Sequence, residues 1–259
     1  MSDQYPDNTL TPAQIFKKYF SVILADTKEL KQQVYNIRYR VYCEEFNYET
    51  VASCPNTMES DKYDRYALHC LIIHNSSRMP AACVRLVPAT SGNVDTELAA
   101  LDLLPFEKYC TDSLDHDFIE QLNLIRSRQC EISRLAVEKT FRKRSGESLT
   151  RFGDINIEVS KEEQRTFLLI AVAAFLAATA LTDLSGKTDV FAMMEPFLPR
   201  LLKRSGIVFQ RAGQDIDYHG IRAPYFITTQ SALKTMRPEL LALYQWIHQQ
   251  IAPAYLKLT

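Results

Sequence analysis

The chain of 259 residues is long enough to bury a substantial core, as one large domain or two small ones. Hydrophobic residues make up 46% and charged residues 24%, as in ordinary globular proteins, and the net charge of -1 gives no general reason to bind nucleic acid or an anionic membrane. The six cysteines form no Cys-x-x-Cys pair, so neither a zinc knuckle nor a dense disulfide framework is indicated. Reduced thiols and a polar N-terminal stretch without a signal-peptide pattern lead us to expect a cytoplasmic protein.

Apolar periodicity predicts alternating helices and strands. In the first half of the chain, the patterns predict helices at 11–24 and 27–46, a strand hairpin at 67–74 and 81–88, and an insertion with short helices at about 89–129. A strand at 130–137, a basic loop, a buried helix at 161–182 and a strand at 189–194 follow. The chain then has a short helix at 196–204, closing strands in "IVFQRAG" and "YFITTQ", and a terminal helix at 238–251. Repeats, low-complexity tracts and linkers are absent from the sequence. We therefore expect a single α/β domain over residues 1–259.

One fifteen-residue run, Phe167 to Leu181, is almost wholly apolar. A helix that spans a bilayer needs about 20 such residues, so the run is short for that role. It also follows a capping box, Ser160 to Glu163, which begins a helix with charged residues. The pattern predicts a buried helix lying on a sheet, and no membrane span.

Most standard chemical motifs are missing from the sequence. It has seven glycines, with no Gly-x-Gly-x-x-Gly, no phosphate-binding loop and no Gly-x-Ser-x-Gly elbow. The five histidines lack metal-ligand spacing, so we expect no metal. The remaining chemistry has to come from carboxylates, arginines and backbone donors.

Arginines, tyrosines and acids nevertheless cluster in an unusual way. Arg38 and Tyr42 are four residues apart and so lie on one helical face, and Tyr48 lies beyond the helix end. These residues form either a binding face or an arginine stacked on tyrosines at the edge of the core. Three acids precede the first hairpin strand: Glu59, Asp61 and Asp64. They could form a binding element, a solvated loop or a cation site. Three further charges interrupt apolar strands: Arg85, Glu131 and Arg134. Unpaired charges in such strands would be costly to bury, so these acids and arginines are expected to pair.

Taken together, the order and spacing of these residues resemble the acyl-homoserine-lactone synthase family. The order is Arg38, two aromatic residues, Glu-x-Asp-x-x-Asp, Arg-Leu at Arg85 and Glu-x-x-Arg at Glu131. Three segments look closer to PEP-CTERM/exosortase system-associated acyltransferases: "RYRVYCEEFNYE", "EISRLAVEKTFRKR" and "YHGIRAPYFI". N-acyl amino acid synthases are a further relative. The sequence departs from the family at Tyr48, where relatives have tryptophan, and in the long segment between Arg85 and Glu131.

The resemblance implies a GNAT-like acyltransferase fold, with a mixed sheet flanked by helices and an acyl thioester bound where two parallel strands splay apart. A β-bulge between Glu131 and Arg134 would bring both to one side and free a backbone N–H for the oxyanion. Glu131 is expected either to act as the base or to anchor Arg134, with Ser133 in the same catalytic group. Arg85 and Arg134 would hold the acids and the carboxylate of the acceptor.

The donor side is expected to lie in the following loop and in the strand at 189–194. The resemblance implies that Arg142, Lys143 and Arg144 dock an acidic helix of acyl carrier protein, although a solvated basic turn is the simpler alternative. Phe191 and Met193 offer an apolar wall for an acyl chain, unless they are only core residues.

These observations lead to one main hypothesis for the function. The protein is expected to transfer a fatty acyl group from acyl carrier protein or acyl-CoA, as co-substrate, to the amine of an amino acid or related small metabolite, without a tightly bound cofactor. The alternatives are an acyl-homoserine-lactone synthase that uses S-adenosylmethionine and a catalytically silent acyl-binding protein of the same fold.

Overall fold

The structure is a computed structural model and describes residues 10–89, 103–142 and 160–258. Helices and strands alternate along these ranges. Their bounds are α1 Pro12–Tyr19, β1 Phe20–Leu24, α2 Lys28–Tyr39, β2 Leu68–His74, β3 Pro80–Pro88, α3 Pro105–Tyr109, α4 His116–Gln121, β4 Gln129–Val137, α5 Lys161–Ser185, β5 Asp189–Met194, α6 Phe197–Lys203, β6 Gln210–Arg211, β7 Ile216–Asp217, β8 Ile221–Thr228, α7 Thr229–Thr235 and α8 Pro238–Tyr255.

The strands form one mixed sheet in the order β1-β2-β3-β4-β5-β8-β6, with β7 paired to β8. The hairpin of β2 and β3 is confirmed, and β4 pairs with β3 in antiparallel fashion. Only the β4–β5 pairing is parallel among these described pairs. The chain between β4 and β5 therefore has to cross over the sheet, and α5 makes part of that crossover.

Helix α5 packs across the sheet on β2, β3 and β4 and contacts α1 and α8. Its Ser160 hydroxyl accepts the Glu163 backbone N–H at 3.1 Å, and it ends at Gly186, whose φ of 66° favours glycine. The stretch Thr166–Ser185 is long and apolar enough to cross a membrane, and half of it is buried within the protein. Ile170 and Leu181 are fully buried in the main core, so packing accounts for this apolar character.

Residues 20–24 form the edge strand β1, so the prediction of one helix over 11–24 was wrong in its second half. Phe20, Val22 and Leu24 are buried and alternate with less buried residues, which is the period of a strand. Pairing with β2 stabilises this conformation, and Thr11 at the other end caps the short helix that precedes it. The helix predicted at 27–46 is confirmed as α2 and a wider π-helical turn, Arg40–Glu45.

The insertion predicted at about 89–129 contains short helices in its described part. Helix α3 lies on β5, and its Phe106 ring stacks on Phe191 with centroids 4.4 Å apart. Phe226 on β8 joins the same apolar cluster, with its centroid 5.1 Å from that of Phe191. The insertion thus builds a second, smaller core on the sheet, next to the point where β4 and β5 begin to separate. Of the predicted closing strand "IVFQRAG", only Gln210–Arg211 pairs as a strand.

Candidate functional site

The parallel strands β4 and β5 pair over only three positions and then diverge. The last paired residues are Glu131 and Phe191. Beyond them lies a cavity of about 340 Å³, which we call the strand cavity, with walls from residues 132–137, residues 192–195 and parts of α5 and α6. Separated strands cannot satisfy each other's backbone groups, so water or a bound molecule has to do so. The predicted splay of these strands is confirmed.

A β-bulge interrupts β4 at Arg134. Cys83 pairs with Ala136 and Arg85 with Ser133, so two residues of β4 lie opposite a single residue of β3. Arg134 has a φ of 51°, in the left-handed region that costs a residue with a side chain on the order of 1–3 kcal/mol. A bulge was predicted between Glu131 and Arg134, and the structure has it slightly later, at Arg134 and Leu135, after a regular register from Glu131 to Ser133. It brings the side chains of Glu131 and Arg134, and that of Ser133, to the wall of one cavity.

This second cavity, the acid cavity, adjoins the strand cavity. The two cavities share six lining residues: Tyr42, Tyr48, Ser133, Arg134, Met193 and Arg222. The remaining walls of the acid cavity come from Glu49, Pro105, Phe106, Tyr109, Glu131, Tyr218 and His219. A molecule bound in one cavity can therefore react with a molecule bound in the other.

Glu131 lies at the wall of the acid cavity without an ion-pair partner within 4.0 Å in the described part of the chain. Its Oε2 accepts the backbone N–H of Phe106 at 2.6 Å. Burial raises the pKa of Glu131 to about 7, because the hydrogen bond from Phe106 and the charges of Arg85 and Arg134 offset desolvation only in part. A carboxyl with this pKa can accept and release a proton near neutral pH.

The buried Arg38 side chain is held by two acids. Its Nη1 and Nη2 donate to Asp64 Oδ1 and Oδ2 at 2.7 and 3.0 Å, and its Nε donates to Glu59 Oε2 at 2.5 Å. Both arginine and acids are almost wholly buried, and the two positive neighbours Arg38 and Arg85 hold the pKa of Asp64 well below its usual range. Asp61 and Asp64 cap a short helical turn, Lys62–Arg65, which fixes both carboxylates locally.

Arg85 and Arg134 complete this ion-pair network. Arg85 Nη1 donates to Asp61 Oδ1 at 2.7 Å and to Asp64 Oδ1 at 3.0 Å, and Arg85 Nε donates to Ser133 Oγ at 3.1 Å. Arg134 Nε lies 3.3 Å from Glu59 Oε1, and Nη2 lies 3.5 Å from Asp61 Oδ2. The network therefore runs from α2 to the bulge in β4 and holds Ser133 and Arg134 in place.

The predicted pairing of acids with arginines is confirmed for Glu59, Asp61 and Asp64, but Glu131 takes no part in it. These acids, together with Arg38 and Arg85, line neither cavity, which corrects their assignment to direct substrate binding. Each is occupied by an oppositely charged partner behind the cavity wall. Because the three carboxylates bind arginines, the alternative of a cation site fails as well. Within the described ranges, no group of three His, Cys, Asp or Glu side chains could hold a metal ion.

Tyrosines form the aromatic wall that both cavities share. The Tyr42 hydroxyl donates to the carbonyl oxygen of Leu135 at 2.8 Å, next to the bulge, and burial raises the pKa of Tyr42. Tyr48 stacks on Phe46 with ring centroids 5.2 Å apart and lies 6.3 Å from Tyr42. The two tyrosines therefore lie at the cavities, as predicted, while Arg38 beside them on α2 points into the ion-pair network.

The residues expected on the donor side divide into three groups. Met193 lines both cavities, and Arg142 lines the strand cavity, where it pairs with Glu45 and lies 5.0 Å over the Phe46 ring. Phe191 does not line the strand cavity, because it packs in the core against Phe106. Lys143 and Arg144 lie outside the described residues.

Sequence reasoning gave no role to three residues at the cavity walls: Tyr218, His219 and Arg222. They come from the turn between β7 and β8 and from β8, which lies beside β5 in the sheet. The segment "YHGIRAPYFI" contributed to the resemblance, but its spacing alone did not indicate which side chains would face the cavities. The insertion likewise supplies Phe106 and Tyr109 from α3.

A sequence model of the Acetyltransferase (GNAT) domain family matches residues 37–151, which include the last three residues of α2, the three acids of the ion-pair network, the bulge and Arg142. Comparison with curated protein sequences finds no match. Solved structures share the fold at low sequence identity. TofI, in a ternary complex with an inhibitor and MTA, has a TM-score of 0.56 and 17% identity, covering 91% of this chain and 99% of its own.

Two further structures with this fold are those of enzymes. The CoA-dependent acyl-homoserine lactone synthase BjaI, with SAM and isopentyl-CoA, has a TM-score of 0.55 and 16% identity, covering 88% of this chain and 89% of its own. FeeM, an N-acyl amino acid synthase from uncultured soil microbes, has a TM-score of 0.52 and 9% identity, covering 84% and 94%. The chain thus resembles the GNAT acetyltransferase family over residues 37–151, and its mixed α/β fold is similar to those of an acyl-homoserine lactone synthase and an N-acyl amino acid synthase.

Proposed function

We propose that the protein is an N-acyltransferase, which transfers a fatty acyl group from the thioester of acyl carrier protein or CoA to the amine of an amino acid or related small metabolite. One observation carries this proposal. Glu131, an acid without an ion-pair partner among the described residues, is the last paired residue of β4 before the strand cavity opens. A proton acceptor is thus next to the place where two separated strands can hold an extended acyl thioester.

The reaction needs the acceptor as a free amine. Glu131 takes a proton from the ammonium group, directly or through water, and the amine nitrogen then attacks the thioester carbon. The C–N bond forms, the nitrogen gives up its second proton, and collapse of the tetrahedral intermediate breaks the C–S bond, so that the released thiolate takes up that proton. General base catalysis of this kind contributes on the order of 10²–10⁴-fold to a rate. We expect a backbone N–H of the bulge to stabilise the oxyanion, an effect of about 2.7–4 kcal/mol.

The ion-pair network positions these groups, and of its arginines and acids described above only Arg134 lies at the cavity walls. Arg85 holds Ser133 through its Nε, and Glu59 and Asp61 hold Arg134 at the bulge. A network that is paired and largely buried is rigid, so it can maintain the left-handed conformation of Arg134 against its strain. Ser133 and Arg134 would then contact the acyl donor where the two cavities meet.

The acyl chain would occupy the strand cavity. Its walls include Phe175 on α5, Ala192 and Met194 on β5 and Leu198 on α6. A further, small apolar cavity lies between the sheet and α5, and it shares Ile132, Phe175 and Ala192 with the strand cavity. The Phe175 ring therefore lies between the two spaces and would set the length of acyl chain that fits.

The carrier and the pathway also belong to the proposal. Arg142 lines the strand cavity, and Lys143 and Arg144 follow it in the sequence, so this basic segment is suited to an acidic carrier protein. The resemblance to PEP-CTERM/exosortase system-associated acyltransferases suggests a bacterial, cytoplasmic enzyme of that system. S-adenosylmethionine is the alternative acceptor, as the shared fold with a lactone synthase suggests.

Measurement of thiol release tests the proposal directly. The purified protein is incubated with acyl carrier protein thioesters and acyl-CoA, each with single amino acids or S-adenosylmethionine, and the products are identified by mass spectrometry. Thiol release that depends on an amine, with an N-acyl product, is expected for the wild type and not for Glu131→Gln. If thioesters bind but no acceptor stimulates thiol release, the protein is an acyl-binding protein of this fold and not an enzyme.

A further inference from the structure

The arginines of the ion-pair network are not available to bind a carboxylate of the acceptor. Arg38, Arg85 and Arg134 each contact acids at 3.3 Å or less. If an incoming carboxylate took one of these guanidinium groups, a protein carboxylate would lose its partner in a buried position, which is strongly unfavourable. An acceptor that bears a carboxylate therefore needs another cation in the cavity.

Arg222 on β8 is such a cation. It lines both the acid cavity and the strand cavity. Its guanidinium carbon lies 5.4 Å from the centroid of the Tyr48 ring, and its Nε is buried without a hydrogen-bond partner in the described protein. No acid of the described residues comes within 4.0 Å of it. An aromatic face keeps the guanidinium in position without neutralising its charge.

The other charges at the wall of the acid cavity leave this arrangement intact. Glu49 is engaged elsewhere, because its Oε1 lies 3.5 Å from His219 Nε2 and 3.6 Å from Arg134 Nη2. Burial lowers the pKa of His219, so its ring is neutral and does not compete for an anion at neutral pH. The acid cavity thus offers one unpaired acid, Glu131, and one unpaired cation, Arg222, among its described residues.

We propose that Arg222 binds the carboxylate of the acceptor, so that the enzyme selects α-amino acids over amines without a carboxylate. The inference rests on the proposed function, and the class it names includes S-adenosylmethionine. A guanidinium group binds a carboxylate through two parallel hydrogen bonds, which also orients the amine that the carboxylate carries. An amine without a carboxylate would fill the cavity, displace water from Arg222 and leave this cation unpaired.

Acyl transfer to each amino acid is compared with transfer to its carboxamide, for the wild type, Arg222→Gln, Arg222→Lys and Arg211→Gln. Arg211 is the matched control, because it lies on the neighbouring strand β6, pairs with Asp215 at 2.6 Å and lines neither cavity. We expect Arg222→Gln to raise KM for the amino acid on the order of 10- to 100-fold, the effect of a lost charge-assisted contact, with donor KM unchanged. Arg222→Lys should recover part of the loss, since lysine keeps the charge but not the paired donors.

The ratio of acyl transfer to an amino acid and acyl transfer to its carboxamide decides the proposal. A preference that disappears in Arg222→Gln and persists in Arg211→Gln supports it. Equal transfer to acid and carboxamide in the wild type, or a preference that survives in Arg222→Gln, overturns it and leaves the acyltransferase function standing. Melting temperatures of the variants show whether a loss of activity is a loss of folding.

A binding measurement separates this inference from the proposed function. N-acyl amino acids and their carboxamides are titrated calorimetrically into the wild type and Arg222→Gln, without a donor thioester. If the wild type releases no thiol with any acceptor, yet binds the acid form at least tenfold more tightly and only through Arg222, the carboxylate site stands and the proposed reaction fails. Equal binding of acid and carboxamide overturns the site.

Discussion

The backbone N–H of Phe106 donates a hydrogen bond of 2.6 Å to the carboxylate of Glu131. This hydrogen bond joins the insertion to β4. It stabilises the buried negative charge of Glu131 less than Arg38 and Arg85 stabilise that of Asp64. Burial therefore raises the pKa of Glu131 to about 7, while Arg38 and Arg85 hold the pKa of Asp64 well below its usual range. Two carboxylates of one site are thus separated by their surroundings into a group that can move protons and a group that stays charged.

Glu131→Gln keeps the size of the side chain and removes its ability to take a proton. If Glu131 is the base, kcat should fall on the order of 10²–10⁴-fold, with donor KM near that of the wild type. The wild-type rate should rise with pH up to about 7, where Glu131 becomes ionised, and the variant should lose this acidic limb. A variant that keeps the limb in a profile of kcat/KM against pH would contradict the base role.

The same substitution should change the dependence of stability on pH. Glu131 titrates with a pKa of about 7 in the folded chain and 4.5 as an isolated group, so the folded state holds an extra proton between these values. Its contribution is therefore present below pH about 4.5 and is lost as the pH rises to about 7. The melting temperature of Glu131→Gln relative to wild type should increase over this window. A difference in Tm that does not vary with pH would show that burial does not perturb Glu131.

Asp64→Asn should destabilise the fold by about 3–5 kcal/mol, because it removes one of the two carboxylates that pair with each buried guanidinium group, Arg38 and Arg85. Asp61→Asn is the matched control, since the Asp61 side chain is 26% exposed and its loss should cost less in urea denaturation. The lowered pKa of Asp64 means that its contribution is present above its unfolded pKa and is lost as the pH falls below it. Equal denaturation midpoints for the two variants would argue against the buried network as a source of stability.

Charge reversal in the basic loop tests the carrier protein. Arg142 already pairs with Glu45 and packs on Phe46, so the double variant of Lys143→Glu and Arg144→Glu leaves that contact in place. We expect KM for acyl carrier protein to rise and its dependence on salt to weaken, with a smaller effect on acyl-CoA. An unchanged KM for the carrier protein over a range of ionic strength would reject docking at this loop.

Phe175→Ala should join the strand cavity to the apolar cavity behind it. Removal of the ring opens the space between Ile132 and Ala192, so the preferred acyl chain should become longer by several carbons in kcat/KM. Leu198→Ala, at the α6 wall of the strand cavity alone, is the control and should leave the preferred length unchanged. An unaltered chain-length profile in Phe175→Ala would place the acyl chain elsewhere.

Local patterns in the sequence were sufficient for much of the fold. The hairpin of β2 and β3, strand β4, strand β5 and the capped helix α5 follow from periodicity, caps and turn residues that act within a few positions. The edge strand β1 did not follow from its own residues, because "FSVIL" suits a helix or a strand. Pairing with β2 decides between them, and β2 is more than forty residues away in the sequence.

The pairing of charges in the site was likewise within reach of the sequence, since apolar strands that contain arginines require acids to neutralise them. The sequence could not tell which acid would remain unpaired. Arg38 on α2 pairs with Asp64 in the turn Lys62–Arg65, because the fold brings these two segments together. Glu131 lies apart from them and accepts a hydrogen bond from the backbone N–H of Phe106. A pKa near neutrality thus results from tertiary burial and not from any spacing of residues.

By itself, the sequence determined that this is an α/β protein with paired charges inside its sheet and a bulge-forming Glu-x-x-Arg segment. Only the tertiary structure decided which side chains face the cavities. Arg222 lines both cavities, whereas Arg38, Asp64, Arg85 and Phe191 line neither of them. The physical reason is that exposure of a side chain depends on which distant element covers it, and strand alternation alone does not specify that element.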